Sequence, residues 1–292
     1  MSISRSQYFL FYVMVVFSLL GPIFGVSISP NFKLTFFRVF LGLVVFSIFI
    51  NVLQKKIDIS PLHPVRWNGM FFVFWILYAM VSLSWTASIT VGIVYLFKLV
   101  AMLVLCFSIP YFLRNERVFW KAQKVLFSVF AVIILYSVFE SITFLHLPSS
   151  RVFGKLSAAV TSVFNNENDL ASCITIALPF LITSIFMLHI KTRYKVAIYI
   201  TTIMAFYTLI ATGSRSNNFL ALPLIIFVLC VVVPKAISRE KFSRPNIIKG
   251  VLLIIVGILI INTMSAVFLS PQARDKAKTK LWSTFDMFSD MQ

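Results

Sequence analysis

Acidic residues are scarce in this chain. Asp and Glu together number nine among 292 residues, against 26 Lys and Arg, and all charged residues make up only 12%. A soluble domain carries roughly 25% charged residues. The chain therefore lacks enough charge to coat a water-facing surface, and a soluble globular protein is excluded. Cysteine is equally thin: Cys106, Cys173 and Cys230 all fall inside apolar runs. None has metal-ligand spacing, and none lies in a loop where a disulfide would form, so they read as small buried hydrophobes. The three histidines, His63, His146 and His189, stand at loop edges without a partner motif, and no metal site is expected. There is no internal repeat and no low-complexity tract.

What the chain has is apolar sequence. Sixty per cent of it is hydrophobic. A membrane span needs about 20 mostly apolar residues. Spans are expected at 8–28, 34–53, 68–86, 90–111, 124–145, 169–190, 195–212, 217–235 and 248–269. The first run is too long for a signal-peptide core and has no small-residue cleavage site, so it reads as a retained span. The fold expected is all-α, a polytopic transmembrane helical bundle of about nine spans.

The net charge of +17 would suggest nucleic acid on a soluble protein. Here the cations lie in short loops, which is the positive-inside bias, and no nucleic-acid partner is expected. With a cytoplasmic N-terminus, the inner segments hold sixteen Lys and Arg: Arg5; Lys55, Lys56, Arg66; Arg114, Arg117, Lys121, Lys124; Lys191, Arg193, Lys195; Lys235, Arg239, Lys241, Arg244, Lys249. The outer segments hold eight: Lys33, Arg151, Lys155, Arg215, Arg274, Lys276, Lys278 and Lys280. The asymmetry supports that orientation. It makes residues 1–270 a transmembrane helical domain and places 271–292 outside, as the start of an extracytoplasmic loop that looks incomplete.

Three charges fall within spans: Arg38, Lys98 and Glu140. From the expected span ends they lie roughly 6, 12 and 8 Å below the outer surface, at 1.5 Å per residue. Arg38 is close enough to a helix end to snorkel. Lys98 is deepest and Glu140 is the acid at similar depth, so an interhelical ion pair is expected, with a ligand site as the competing reading.

Two motifs stand out. Phe164-Asn165-Asn166-Glu167-Asn168-Asp169-Leu170-Ala171 opens the sixth span. Asn168 or Asp169 would cap the helix; three Asn in four positions exceed what a cap needs, and the extra amides suit sugar hydroxyls or phosphate. Thr212-Gly213-Ser214-Arg215-Ser216-Asn217-Asn218 is a tight turn between the seventh and eighth spans. A guanidinium beside a helix N-terminus makes a phosphate clamp, and a lone Arg at headgroup level is the simpler alternative.

At these motifs the chain resembles the O-antigen ligase and polysaccharide polymerase superfamily. The likeness rests on an F-x-N-x-N-D-x-A element, here Phe164 to Ala171, followed by a T-x-S-R turn, here Thr212 to Arg215. The Asn-Asp form looks most like Gram-positive members of the teichuronic acid polymerase type. The resemblance implies a multi-pass protein of the bacterial plasma membrane and a metal-independent, cofactor-free glycosyl transfer at the outer face. The donor it implies is a polyprenyl-diphosphate-linked glycan. Arg215 takes the catalytic role, and Arg151, Lys155, Asn166, Asn168, Asp169, Ser214 and Lys98 are the candidate substrate-binding residues. Membrane lipid and other polysaccharide-assembly proteins are the expected partners. The family's general base is a His in the large outer loop, and residues 271–292 contain none. Whether the chain acts alone as an enzyme is open on that ground. The rival readings are a flippase or other transporter for lipid-linked oligosaccharides and an inactive fragment of the polymerase. A transporter should place its polar residues near the midplane, whereas these cluster at one face.

The charge asymmetry has a direct test. A reporter fused after residue 292 should report the outer side, and one at Lys241 the cytoplasm. Cytoplasmic reporting from residue 292 would mean that the number of crossings is even.

Overall fold

The computed structural model describes residues 3–29, 32–188, 190–214, 217, 220–221, 223–225, 227–228, 230–231 and 244–269. The described chain is almost wholly helical. Helices run over Arg5–Leu19 (α1), Phe36–Leu53 (α2), Arg66–Ser82 (α3), Ile89–Phe112 (α4), Glu116–Thr143 (α5), Glu167–Met187 (α6), Thr192–Thr212 (α7) and Arg244–Phe268 (α8). Helical backbone also recurs at the described positions between 217 and 231. Among the described residues, six helical stretches are long and apolar enough to cross a membrane: Phe36–Leu53, Ser60–Trp85, Ile89–Phe112, Glu116–Thr143, Glu167–Phe186 and Thr192–Thr212. Arg5–Leu19 and Ile255–Phe268 are shorter apolar helices. The chain is thus an all-α membrane protein.

The chain divides into two compact units, residues 1–130 and 131–292. In the first, α1 starts at Ser4, whose hydroxyl accepts the Gln7 backbone N–H while the Gln7 side chain accepts that of Ser4. This capping box satisfies two donors that a helix start leaves open. Residues Phe11, Met14 and Val15 of α1, Leu41 and Val44 of α2, and Tyr111 and Phe112 of α4 form the buried core. The rings of Phe11 and Phe112 stack with centroids 4.7 Å apart. No residue of α3 is buried, and its Trp67, Phe71, Phe74 and Tyr78 project outward. In water that surface would be unfavourable; in lipid it is the normal exterior of a span.

The first expected span, 8–28, is corrected here. The helix stops at Leu19, and residues Gly25–Ser29 form a strand (β1) antiparallel to Phe32–Thr35 (β2), with Gly25 opposite Thr35. Gly21 adopts a left-handed φ of 60° and Pro22 follows it, so the helix cannot continue. The β-branched Val26 and Ile28 then favour extended backbone. Cysteine burial is corrected too: Cys106 and Cys230 are exposed on the apolar exterior and only Cys173 is partly covered.

At one end of this unit, Arg114 ties the loop after α4 to the loop between α2 and α3. Its Nη1 donates to Asp58 Oδ2 at 2.8 Å, its Nη2 to the Asp58 carbonyl at 2.9 Å and its Nε to the Tyr111 carbonyl at 2.9 Å. Ser60 adds its N–H and hydroxyl to Asp58 Oδ1. The ends of α2 and α4 and the start of α3 therefore share one face.

In the second unit, α6 and α7 pack together. Leu170, Ala171, Ile174 and Leu178 of α6 and Ala205, Tyr207 and Leu209 of α7 are buried. The hydroxyls of Thr201 and Thr202 bond carbonyls one turn back in α7, which satisfies them without a partner helix. Gly257 of α8 faces Tyr199 of α7, where a methyl group would come to 3.2 Å from the phenol oxygen.

The bonds from Ser60, and then Arg114, hold the Asp58 carboxyl below the usual carboxylate range. Such a depressed group contributes stability above its unfolded pKa of about 4 and loses it as pH falls through the folded value. The expected result is that Asp58→Asn lowers the unfolding temperature in detergent at pH 7, and that the gap to the parent closes as pH drops below about 4. A gap unchanged across that range would show that Asp58 contributes no pH-dependent stability.

Candidate functional site

The second unit gathers its polar groups around the connection 144–166. The centre is Glu140, in the last turn of α5 and 1% exposed. Its Oε2 accepts the backbone N–H of Thr161 at 2.9 Å and of Ser162 at 2.6 Å. Its Oε1 lies 3.0 Å from the Thr161 hydroxyl and 2.7 Å from His146 Nδ1. His146 Nε2 lies 3.1 Å from the Ser157 carbonyl. A carbonyl only accepts, so Nε2 must carry a proton. One further proton sits between Nδ1 and Oε1, and whichever atom holds it, the pair is neutral as a whole. Buried carboxylates are tolerated when paired and fully hydrogen-bonded in this way.

This overturns the expected Lys98–Glu140 pair. Every bond of Glu140 comes from residues 146–162, and its acceptor positions are filled. Lys98, in the first unit, has its ammonium 4.9 Å from the centroid of the Tyr95 ring. Arg38 lies 6.0 Å from the Phe97 ring centroid. The same arrangement gives His146, which stands outside any metal-ligand motif, a partner in Glu140. The signal was present: an acid inside a span needs a counter-group, and His146 follows Glu140 by six residues, just past the helix end.

From this anchor the chain passes to the α6 start. The helix cap is Asn166, in place of the expected Asn168 or Asp169. Its side-chain oxygen accepts the N–H of Asn168 at 2.9 Å and of Asp169 at 3.0 Å, and its amide donates to Asp169 Oδ2 at 2.8 Å. Asn168 and Asp169 are already inside the helix and are the recipients of the cap. The Asn166 amide is therefore committed to the helix, whereas Asn165, Asn168 and Asp169 are exposed.

Arg151 lies beside this turn. Its backbone N–H donates to the Asn165 carbonyl at 2.9 Å, and its Nη2 meets Glu167 Oε1 at 2.5 Å. The Arg151 side chain is 54% exposed. Glu167 was not among the expected site residues, although it stands in the motif. It neutralises part of the Arg151 charge, so an anion at Arg151 would compete with it. Lys155 is exposed in the same connection.

The second motif meets the first. Gly213 ends α7 with a left-handed φ of 61°, the conformation that closes a helix at least strain in glycine. Ser214 is buried; its N–H donates to the Thr212 hydroxyl at 3.3 Å. Asn217 donates to Ser214 Oγ at 3.0 Å and accepts from Ser172 Oγ of α6 at 3.2 Å. Asn217 thus binds the turn after α7 to the second turn of α6. Arg215 lies outside the described residues, as do His189 and the tail 270–292. Among the described residues, no three His, Cys, Asp or Glu come together as a metal site would require.

The class defined so far is a multi-helix membrane protein whose second unit gathers polar groups at helix ends. Comparison narrows it. The chain is 33% identical over 190 residues, 61% of its length, to the teichuronic acid biosynthesis protein TuaE of Bacillus subtilis strain 168. The match spans 38% of that relative's length. The likeness is thus to part of a protein named for teichuronic acid biosynthesis. No family model matches the chain, and no solved structure does.

Glu140→Ala should be severe. It strands two backbone N–H groups, a hydroxyl and an imidazole in a buried site, a loss of about 3–5 kcal/mol. Glu140→Gln keeps an acceptor for the two N–H groups and should cost distinctly less. Unfolding of the two variants in detergent checks this, and an unchanged stability in Glu140→Ala would show that the carboxyl group holds nothing together.

Proposed function

We propose that the chain works in the assembly of a cell-surface polysaccharide, as a glycosyltransferase that polymerises or ligates polyprenyl-diphosphate-linked glycans at the outer face of a bacterial plasma membrane. One observation carries the reading. The two motifs on which the resemblance rests are far apart in sequence, yet Asn217, just past the second, bonds both Ser214 within it and Ser172, the residue that follows the first. A relative named for teichuronic acid biosynthesis supports the polysaccharide class, and its organism suits a Gram-positive setting.

In this reading an acceptor hydroxyl attacks the anomeric carbon of the donor sugar. The bond from that carbon to the diphosphate oxygen breaks, and the diphosphate leaves with the electron pair. Negative charge grows on the leaving oxygen, so fixed donors placed there lower the barrier. Arg215 is the residue proposed for that role, with the α6 start, Arg151 and Lys155 seating the donor. Asn168, Asp169 and Asn165 offer polar groups for sugar hydroxyls. Ser214 and Asn166 are spent on structure and support the site instead of touching the donor. Lys98 belongs to the other unit and is not needed in this account. The proton released by the acceptor requires a base. His146 does not fit: it is 1% exposed and both ring nitrogens are committed. Other polysaccharide-assembly proteins would supply the donor and take up the product.

The test is at Arg215. A guanidinium makes bidentate phosphate contacts that an ammonium cannot reproduce. Arg215→Lys should therefore lose most polymer while the protein still inserts and accumulates normally. If Arg215→Ala left polymer length and yield unchanged, the clamp would be wrong, and headgroup contact would account for that residue.

A further inference from the structure

The connection between α5 and α6 does not lie flat on the membrane. The first turns of α5 carry Glu116, Arg117, Lys121 and Lys124, which have no place in hydrocarbon. What remains, residues 125–143, is about 28 Å long at 1.5 Å per residue, close to the thickness of the hydrocarbon core. Thr143 therefore stands at one membrane boundary. The exposed side chains Val132, Leu135, Phe139 and Ile142 recur at helical spacing up to that point, an apolar stripe suited to lipid.

Against this ruler the later residues are deep. Ser162 donates its hydroxyl to the carbonyl of Ile133 at 3.0 Å. Ile133 precedes Thr143 by ten residues, about 15 Å along the axis. Glu140, also inside the helix, holds Thr161 and Ser162 by their N–H groups. Ser162 has a left-handed φ of 51°, which marks a sharp bend of the backbone there. Irregular backbone is tolerated at such depth only when it is buried in protein and its polar groups are satisfied. The segment meets this demand at its centre: Val160, Thr161, Ser162 and Val163 are buried, the N–H groups of Thr161 and Ser162 are bonded to Glu140, and the Thr161 carbonyl accepts from Phe164 while that of Ser157 faces His146.

We propose that Glu140 and His146 are positioning residues that hold residues 157–163 as a re-entrant segment inside the membrane, and that this segment is the floor on which the candidate site stands. The turn 164–169 rises from it, which sets Asn165, Asn168 and Asp169 beside Arg151. A phosphate carried by a membrane lipid reaches such a site sideways, with its chain still in the bilayer. That last step rests on the proposed function; the depth of the segment does not.

The experiment reads depth and not activity, so its failure is separate from failure of the proposed function. Cys106, Cys173 and Cys230 are replaced by Ala, and a nitroxide is attached at Ala158→Cys. The full chain is reconstituted in vesicles of phosphatidylcholine and phosphatidylglycerol. Collision rates with oxygen and with a water-soluble nickel chelate are compared. The expected label lies below the lipid phosphate plane, with oxygen collisions favoured severalfold. Adding Glu140→Gln keeps that depth, and Glu140→Ala moves the label toward water. A label at or above the phosphates in the Ala158→Cys protein overturns the re-entrant segment, even if Glu140→Ala fails to fold. An unchanged depth in Glu140→Ala overturns the role of Glu140.

Discussion

Glu140 is the interaction on which the second unit depends. A carboxylate within a span is expensive unless every lone pair finds a donor. Here the donors come from a stretch of chain that would otherwise have no reason to leave the aqueous boundary. The same four contacts solve two problems. They make the acid tolerable, and they satisfy two backbone N–H groups of residues that form neither helix nor strand. Removing either side leaves the other unpaired, so the buried acid and the irregular segment stabilise one another. The two motifs then inherit their positions: the α6 start follows directly from the anchored segment, and Asn217 attaches the turn after α7 to it.

The first unit uses a different device. Its buried core is small and aromatic, built from α1, α2 and α4, and most of its exterior is apolar. Its loops are joined by Arg114 and Asp58 in a setting partly open to water. A clasp of this kind contributes modestly to stability and more to register. The guanidinium fork reads a carboxylate oxygen and a backbone carbonyl of the same residue, which one loop geometry supplies and neighbouring geometries do not.

Much of the architecture was legible in the sequence because lipid imposes a simple rule: long apolar runs become helices, and cations between them mark loops. What was not legible has physical causes. The strand pair Gly25–Ser29 and Phe32–Thr35 hides in an apolar run, since hydropathy does not separate strand from helix; only Gly21-Pro22 marks the break. Depth within the span points from Glu140 across helices to Lys98, whereas its donors lie within 22 residues along the chain. Hydropathy alone leaves a loop between spans outside the membrane, and does not reveal donors that fold back along the same helix. The cap of α6 was displaced by two or three residues, because the motif offers several residues able to cap and only the helix start decides among them. Glu167 has no distinguishing mark among the polar residues of that motif, and only the fold sets it against Arg151. Of the residues that carry the resemblance, Ser214 is linked through Asn217 to Ser172, next to the first motif, and Arg215 lies outside the described residues.

The bonds between helix ends have a consequence for sidedness. Arg114 and Asp58 join connections separated by two helices, α3 and α4. Ser172 and Asn217 join the start of α6 to the turn after α7, again two helices apart. An even number of crossings returns the chain to the side it left, so each bond fixes a parity that no loop charge can change. Within either unit, the location of one of the joined connections dictates the location of the other.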